Sequence, residues 1–190
     1  MYICPCITYY KNTFTTEALP MKNIVLIGMP GTGKSTVGKA LAERLGYEFV
    51  DADDLIVQTT GKTLPEILRQ DGLEAFYEIE NKVGTDLNRT HTVIATGGSM
   101  VLYPEAMAHL KKGSTVIWLQ TPFSQLEKRM PADLYDRGIA VPAGTPLREI
   151  YEERCVLYAR YADLIVASQD GESDTARLVE DVMRTVGLEA

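Results

Sequence analysis

Soft-metal ligands are scarce in this 190-residue chain, which has only three cysteines and two histidines. Cys4, Cys6 and Cys155 form an odd set without the paired spacing of a zinc site, and Cys4-Pro5-Cys6 alone is a weak metal or redox motif. A structural metal centre is not expected, and a reducing cytoplasm is the default compartment. Positive charge is also short. The 19 Lys and Arg against 26 Asp and Glu leave a net charge of −7, which argues against general affinity for DNA, RNA or anionic membranes. No apolar run approaches the ~20 residues needed to cross a bilayer. The first twenty residues lack a basic segment followed by a long apolar stretch and a small-residue cleavage site, so they do not read as a secretory signal.

What the chain does have is length for one domain, against ~150 residues per domain, and 45% hydrophobic residues to build its core. A natural beginning lies at Met21-Lys22-Asn23, directly before an apolar run. Residues 1–20 are therefore expected to be an extension, disordered or loosely packed, in front of a single domain over 21–190. The apolar run at 24–27 enters Gly28-Met29-Pro30-Gly31-Thr32-Gly33-Lys34-Ser35-Thr36, which spells G-x-x-x-x-G-K-S. This is the phosphate-binding loop, or P-loop, pattern. Glycines let successive backbone N–H groups face phosphate oxygens, a lysine reaches the β- and γ-phosphates, and the following hydroxyl suits Mg²⁺. Val37, Leu41 and Leu45 continue at helical spacing, so phosphates would face a helix N-terminus.

Strand and helix signals then alternate. A second strand over 47–50 runs into Asp51-Ala52-Asp53-Asp54, where ligands bind in α/β sheets, although Asp53 or Asp54 could also cap the next helix. Helices are expected at 64–70 and 73–87, the latter with Leu73, Phe76, Ile79, Val83 and Leu87 as a core stripe. A third strand at 92–96 leads to Gly97-Gly98-Ser99, which permits either close backbone approach to a ligand or a tight turn. Further helices are read at 104–112, 121–130, 146–162 and 174–186, and strands at 114–119 and 164–167. Residues 131–145 form a long loop expected to act as a mobile lid. The pattern predicts an α/β fold of three layers, with a five-stranded parallel sheet and helices on both faces.

The order of these pieces resembles the shikimate kinase family, within the nucleoside-monophosphate-kinase-like group of P-loop folds. The resemblance covers nearly everything from Met21 onward. It rests on G-M-P-G-T-G-K-S-T at 28–36, D-A-D at 51–53, F-Y-E-I-E at 76–80, T-G-G-S at 96–99, D-R-G at 136–138 and E-R-C-V-L-Y-A-R-Y-A-D at 153–163. It implies that Gly31, Thr32, Gly33, Lys34, Ser35 and Thr36 hold the phosphates of ATP. Ser35 would bind Mg²⁺ directly, with Asp51 supporting it through water. Asp53 would orient the acceptor hydroxyl or take its proton. Gly97, Gly98 and Ser99 would line the acceptor pocket, Arg137 would close over the transferring phosphoryl group, and Arg154 would pair with the acceptor's carboxylate. Arg129 would lie against adenine. Without the resemblance, Arg154 reads as a solvated helix-face charge or a partner of Glu149 or Glu153.

Two departures bear on the acceptor. The family's phenylalanine–arginine pair is Phe76-Tyr77 here, so Tyr77 offers one neutral hydrogen bond where an arginine would clamp a carboxylate bidentately. Glu80, which accompanies that arginine in the family, is kept. The third glycine of the family's triplet is Ser99, and the lid continues Arg137-Gly138-Ile139-Ala140, a more flexible version than the family's R-P-L-L. The expected protein is a monomeric cytoplasmic kinase for a small hydroxy acid, shikimate first, using ATP and Mg²⁺, without nucleic-acid or membrane partners. The alternatives are a kinase for another hydroxy acid such as homoserine or gluconate, and a non-catalytic nucleotide-binding module.

Overall fold

A computed structural model describes residues 22–131, 133–168 and 175–187. The extension expected at 1–20, with Cys4 and Cys6, lies outside the described residues. The elements run β1 (Asn23–Ile27), α1 (Lys34–Leu45), β2 (Glu48–Asp51), α2 (Ala52–Thr60), α3 (Leu64–Gln70) and α4 (Leu73–Asp86). They continue as β3 (Thr92–Ala95), α5 (Pro104–Lys111), β4 (Ser114–Gln120), α6 (Phe123–Arg129), α7 (Leu147–Tyr161), β5 (Leu164–Ala167) and α8 (Thr175–Thr185). The five strands are parallel in the order β2-β3-β1-β4-β5. The expected α/β architecture is therefore present.

Burial explains why β1 takes the centre. All five of its residues are buried, and the four apolar ones alternate between two cores as the strand period of two requires. Val25 and Ile27 join Trp118, Met107 and Tyr158, under α5 and α7. Ile24 and Leu26 join Val37, Leu41, Val179 and Val182, under α1 and α8. From β1 the chain crosses to β2 on one side of the sheet and from β3 it crosses to β4 on the other, so the connections diverge between the neighbouring strands β1 and β3. A crevice opens there at the carboxyl ends of the strands, the usual ligand position in such sheets.

Helix boundaries fall close to the expected ones, but two local readings change. Asp51 caps α2, accepting from the backbone N–H of Asp53 at 3.0 Å, so neither Asp53 nor Asp54 is the cap. In α4 the fully buried positions are Phe76, Glu80 and Gly84, one face at four-residue spacing. Leu73, Ile79, Val83 and Leu87, expected as core, are half-buried and pack against the core clusters. A glycine and a glutamate supply the inner face because α4 packs tightly against the α5 layer at one end and borders the crevice at the other.

Residues 131–145 also hold more structure than a plain loop. Leu134–Arg137 forms a 3-10 turn ended by Gly138 at φ 71°, and Ile139, Ala140 and Val141 are buried. Ala140 packs with Ile56, Ile67, Leu68 and Phe76, so this segment closes a small core of its own over α3 and α4.

A Cβ on Gly84 would lie 2.6 Å from Met100 Sδ and 2.7 Å from Ala106 Cβ. Methionine can move, whereas the α5 alanine is fixed on its helix. Gly84→Val should therefore cost ~1–3 kcal/mol of stability by overpacking, seen as a lower Tm in thermal unfolding. An unchanged Tm would mean that the α4–α5 crossing relaxes freely.

Candidate active site

Three chain reversals at the carboxyl edge of the sheet build the crevice. The first follows β1. Gly28 sits at φ 146°, with a would-be Cβ 2.6 Å from the Leu119 carbonyl oxygen, and Gly31 and Gly33 lie at φ 80° and 92°. Gly33 is the N-cap of α1 and offers no side-chain cap, so the first N–H groups of the helix point outward unsatisfied by a cap. Ser35 and Thr36 open to solvent at this end. Lys34 is buried, and its Nζ donates to the carbonyls of Gly28 at 2.8 Å and Met29 at 2.9 Å. Burial lowers its pKa to about 8, while Asp53 and Asp51 act to raise it. It remains a cation held on the loop.

The second reversal follows β2 and sets Asp53 on the first turn of α2. The third follows β3 and runs through Gly97, Gly98 and Ser99. Gly98 has no room for a side chain, because a Cβ would lie 2.6 Å from Pro30 Cδ of the first loop. The Gly98 carbonyl accepts the Tyr158 hydroxyl at 2.7 Å, tying this turn to α7. A Cβ on Gly97 would strike Glu80 Oε1 and lie 2.9 Å from Asp53 Oδ1. Both carboxylates thus pack against this glycine, at a distance only the missing side chain permits. Burial first, then the Asp51 charge, raises Asp53 to about 6. Burial raises Glu80 to about 7, with the Ser99 hydroxyl beside it holding it down and the Asp53 charge pushing it up.

The 131–145 segment roofs the crevice. Arg137 is exposed on its 3-10 turn, with Nη2 3.9 Å from the would-be Cβ of Gly31. Arg69 of α3 anchors the turn through ion pairs to Asp133 and Asp136. These pairs are exposed and contribute little individually. A buried anchor lies deeper: Arg154, only 2% exposed, donates from Nη2 to the Ala140 carbonyl at 2.7 Å. Arg154 is therefore no solvated helix-face charge, and it joins α7 to the roof.

These parts enclose a cavity of about 210 Å³ whose walls include Gly31, Gly33, Lys34, Ser35, Thr36, Asp53, Gly97, Gly98, Ser99, Arg137 and Arg154. Four other expected site residues lie off its wall. Thr32 is buried within the loop. Asp51 is occupied by its cap, although its charge acts on both Lys34 and Asp53. Arg129 donates to the Gly31 carbonyl at 3.0 Å and to Gln125, bracing the loop from outside. Tyr77 stacks edge-on to Tyr103 with centroids 6.0 Å apart, and its hydroxyl makes a long 3.5 Å contact to the Ala140 carbonyl. Sequence reasoning missed Tyr103, which donates to Glu80 Oε2 at 3.1 Å, and gave no role to Tyr158. Tyr103 is a single aromatic outside any local motif, and although Tyr158 lies within the 153–163 motif, only the fold brings either to the site.

Among the described residues no three His, Cys, Asp or Glu side chains gather into a metal cage. The cavity wall offers the Ser35 hydroxyl and the Asp53 carboxylate, with Asp51 two residues before Asp53. That set fits a small hard cation that keeps most of its waters and arrives with phosphates, as Mg²⁺ does.

A family model described as shikimate kinase matches residues 30–186. A shikimate kinase from a Synechococcus species is 42% identical over 168 residues, covering 86% of this chain and 85% of the relative. One from Persephonella marina is 37% identical over 150 residues, covering 78% and 90%. Among solved structures, shikimate kinase from Acinetobacter baumannii in complex with shikimate aligns with a TM-score of 0.77 at 31% identity, covering 86% of this chain and 92% of that one.

The buried Glu80 makes a stability prediction. Because the folded chain keeps this proton up to about pH 7, against an ordinary value of 4.5, it binds more protons than the unfolded chain between those limits. Stability contributed by this group therefore falls as pH rises through that window. Glu80→Gln should be more stable than the unaltered protein above pH 7 by up to ~3 kcal/mol, with the difference fading below the ordinary glutamate value. Denaturant unfolding at several pH values tests this, and parallel curves for the two proteins at every pH would refute it.

Proposed function

The chain belongs to the shikimate kinase family, and we propose that the cavity beside its P-loop is where the γ-phosphoryl group of ATP passes to a hydroxyl of shikimate, giving shikimate 3-phosphate. It is a phosphotransferase with an alcohol acceptor. The observation that carries the site assignment is the convergence of Lys34, Asp53, Arg137 and Arg154 on one cavity of about 210 Å³. Phosphoryl transfer asks little covalent chemistry of a protein, only in-line positioning and neutralisation of spreading charge.

In this reading the loop N–H groups of residues 31–36 hold the ATP phosphates, and Lys34 exchanges its two carbonyl partners for phosphate oxygens. Ser35 would hold Mg²⁺, with Asp51 behind it through water; when bound, the ion neutralises charge on the phosphates. Asp53 orients the acceptor hydroxyl, and a value near 6 makes it basic enough to take the proton as the O–P bond forms. Arg137 offsets charge on the transferring group under a roof that limits water, as kinases require. The same roof is expected to open for substrate entry. Arg154 pairs with the acceptor's carboxylate, and backbone groups of Gly97, Gly98 and Ser99 shape the pocket around it. Arg129, braced on Gly31, flanks the adenine side. No helix among the described residues is long and apolar enough to cross a membrane, and the charge of −7 disfavours nucleic acid. We read the enzyme as a cytoplasmic monomer.

A second acceptor class is favoured by one observation. Glu80 has no arginine at position 77 to neutralise it, so an amino hydroxy acid such as homoserine would meet a complementary charge. Tyr77→Arg separates the two readings. It should lower the Michaelis constant for shikimate by ~10-fold or more by completing a charged clamp, and raise it for an ammonium-bearing acceptor. A rise for shikimate would favour the amino hydroxy acid.

Two variants test the assignment of roles. Lys34→Ala should reduce turnover by ~10² or more in a coupled ADP-release assay with shikimate, since it removes a donor aimed at developing charge. Asp53→Asn should reduce turnover with little change in the Michaelis constant for ATP. Loss of nucleotide binding with acceptor kinetics intact would make Asp53 a nucleotide-site residue instead.

A further inference from the structure

A second cavity, of about 410 Å³, lies outside the active site, between the later turns of α2 and the second half of α4. Leu55 of α2 lines it together with Ile79, Val83 and Leu87, which recur every four residues and so share one stripe of α4. The half-burial of that stripe has its cause here: the inner edge packs on the cores, and the outer edge faces this space. The floor is preformed. Where the chain leaves α4, the Asp86 carbonyl accepts from Asn88 Nδ2 at 3.1 Å, that of Leu87 from His109 Nε2 at 3.1 Å, and that of Arg89 from Asn23 Nδ2 at 2.7 Å. The rim is cationic at this end. Lys82 is paired with Asp86, whereas the exposed Arg89 guanidinium makes no ion pair among the described residues.

We propose that this cavity is a second binding site, for a small amphipathic anion with an apolar body, and that its occupancy weakens acceptor binding at the active site. Its volume and its lining, mostly apolar with a few polar groups at one edge, are those of a ligand pocket. An apolar body between Leu55 and the α4 stripe gains by leaving water. An anionic group at the Arg89 end gains a charged hydrogen bond that no described protein group supplies. An anion is selected over a cation because Lys82 and Asp86 cancel each other and Arg89 is left over. One layer of side chains separates this space from the active site. Ile79 and Val83 pack against the small core that contains Phe76 and Ala140, and those two line the cavity beside the P-loop. Helix α2 carries Asp53 in its first turn, two residues before Leu55. A body wedged between α2 and α4 therefore displaces the wall that bears Asp53 and Phe76, while β1 and α1 keep Lys34 fixed. This coupling, unlike the site itself, rests on the assignment of the cavity beside the P-loop as the acceptor site.

Anilinonaphthalene sulfonate, an aromatic anion that brightens in apolar surroundings, is the probe, and phenylnaphthylamine is its uncharged counterpart. With ADP saturating the P-loop, the full chain should bind one sulfonate probe per molecule. Arg89→Ala should weaken that probe ~3- to 10-fold and leave the uncharged one unchanged, and Arg89→Lys should restore binding of the anion. Thr59→Trp, at an exposed position on the cavity wall, should fill the space and abolish binding of both. In a kinase assay the sulfonate probe should raise the Michaelis constant for shikimate ~3- to 10-fold, leave that for ATP unchanged, and lose this effect in Thr59→Trp. Complete displacement of the probe by ADP or shikimate, or equal binding by Thr59→Trp and the unaltered protein, would overturn the site. Equal loss of both probes in Arg89→Ala would overturn the preference for an anion. Binding at the cavity with both Michaelis constants unchanged would overturn the coupling. Absence of shikimate turnover in the unaltered protein would overturn the acceptor assignment and the coupling with it, while the binding measurements still decide the site.

Discussion

The position of β1 constrains everything at the site. The strand is paired on both sides and buried on both faces, so it can neither shift nor end gradually. Its last neighbour in the sheet blocks the next residue: at Gly28 any Cβ would meet the Leu119 carbonyl oxygen at 2.6 Å. The chain must therefore leave the sheet through glycine at positive φ. It re-enters regular structure at α1 with uncapped N–H groups turned toward the crevice. A phosphate-binding surface follows from how the central strand is packed, before any side chain is considered. Lys34 adds the charge, and its two carbonyl hydrogen bonds show the loop already curled into the shape that cradles an anion.

Around that loop the fold gathers more charge than a core would tolerate. Lys34, Glu80 and Arg154 are all buried, and burial shifts both Lys34 and Glu80 toward their neutral forms. Replacing such groups by apolar ones commonly stabilises a protein, so their presence here is a cost set against function. The compensation lies in preorganisation. Fixed cations and carboxylates aimed into a small roofed volume need no rearrangement when charge spreads in a transition state. The link from Arg154 to Ala140 serves both ends of this scheme, because one buried guanidinium borders the cavity and holds the roof over it.

Most of the fold was legible because its signals are local. The G-x-x-x-x-G-K-S string, alternating strands and helices, and Gly46 as the stop of α1 each depend on neighbouring residues alone. Lys34, Ser35, Asp53 and the glycine pair reach the cavity because each lies within a few residues of a strand end. Position along the sequence failed where contacts are long-range. The stripe on α4 was legible as core-facing, since Phe76 is buried and Leu73, Ile79, Val83 and Leu87 pack against the cores, whereas the buried Glu80 and Gly84 carry no hydrophobic signal. The Asp51 cap was missed because three carboxylates in four positions offer equal local signals. Tyr103 lies 23 positions from Glu80, and Tyr158 lies 60 from Gly98, beyond any spacing rule.

The departure at position 77 also looks different once the neighbours are in view. Tyr77 does not stand in an arginine's place as a weaker ligand. It turns edge-on to Tyr103, and Tyr103 in turn donates to the carboxylate that an arginine would have neutralised. A hydroxyl can satisfy one oxygen of that carboxylate but brings no positive charge, so burial pushes Glu80 upward. The tyrosine pair thus preserves packing and half of the hydrogen bonding while changing the electrostatics. Nucleotide chemistry is insulated from this change, since Lys34 and the loop are fixed by β1 and α1. The opposite wall is not insulated, because Glu80 and Asp53 both pack against Gly97. One substitution on α4 can therefore change the charge at this wall of the cavity without disturbing how Lys34 and the loop are held.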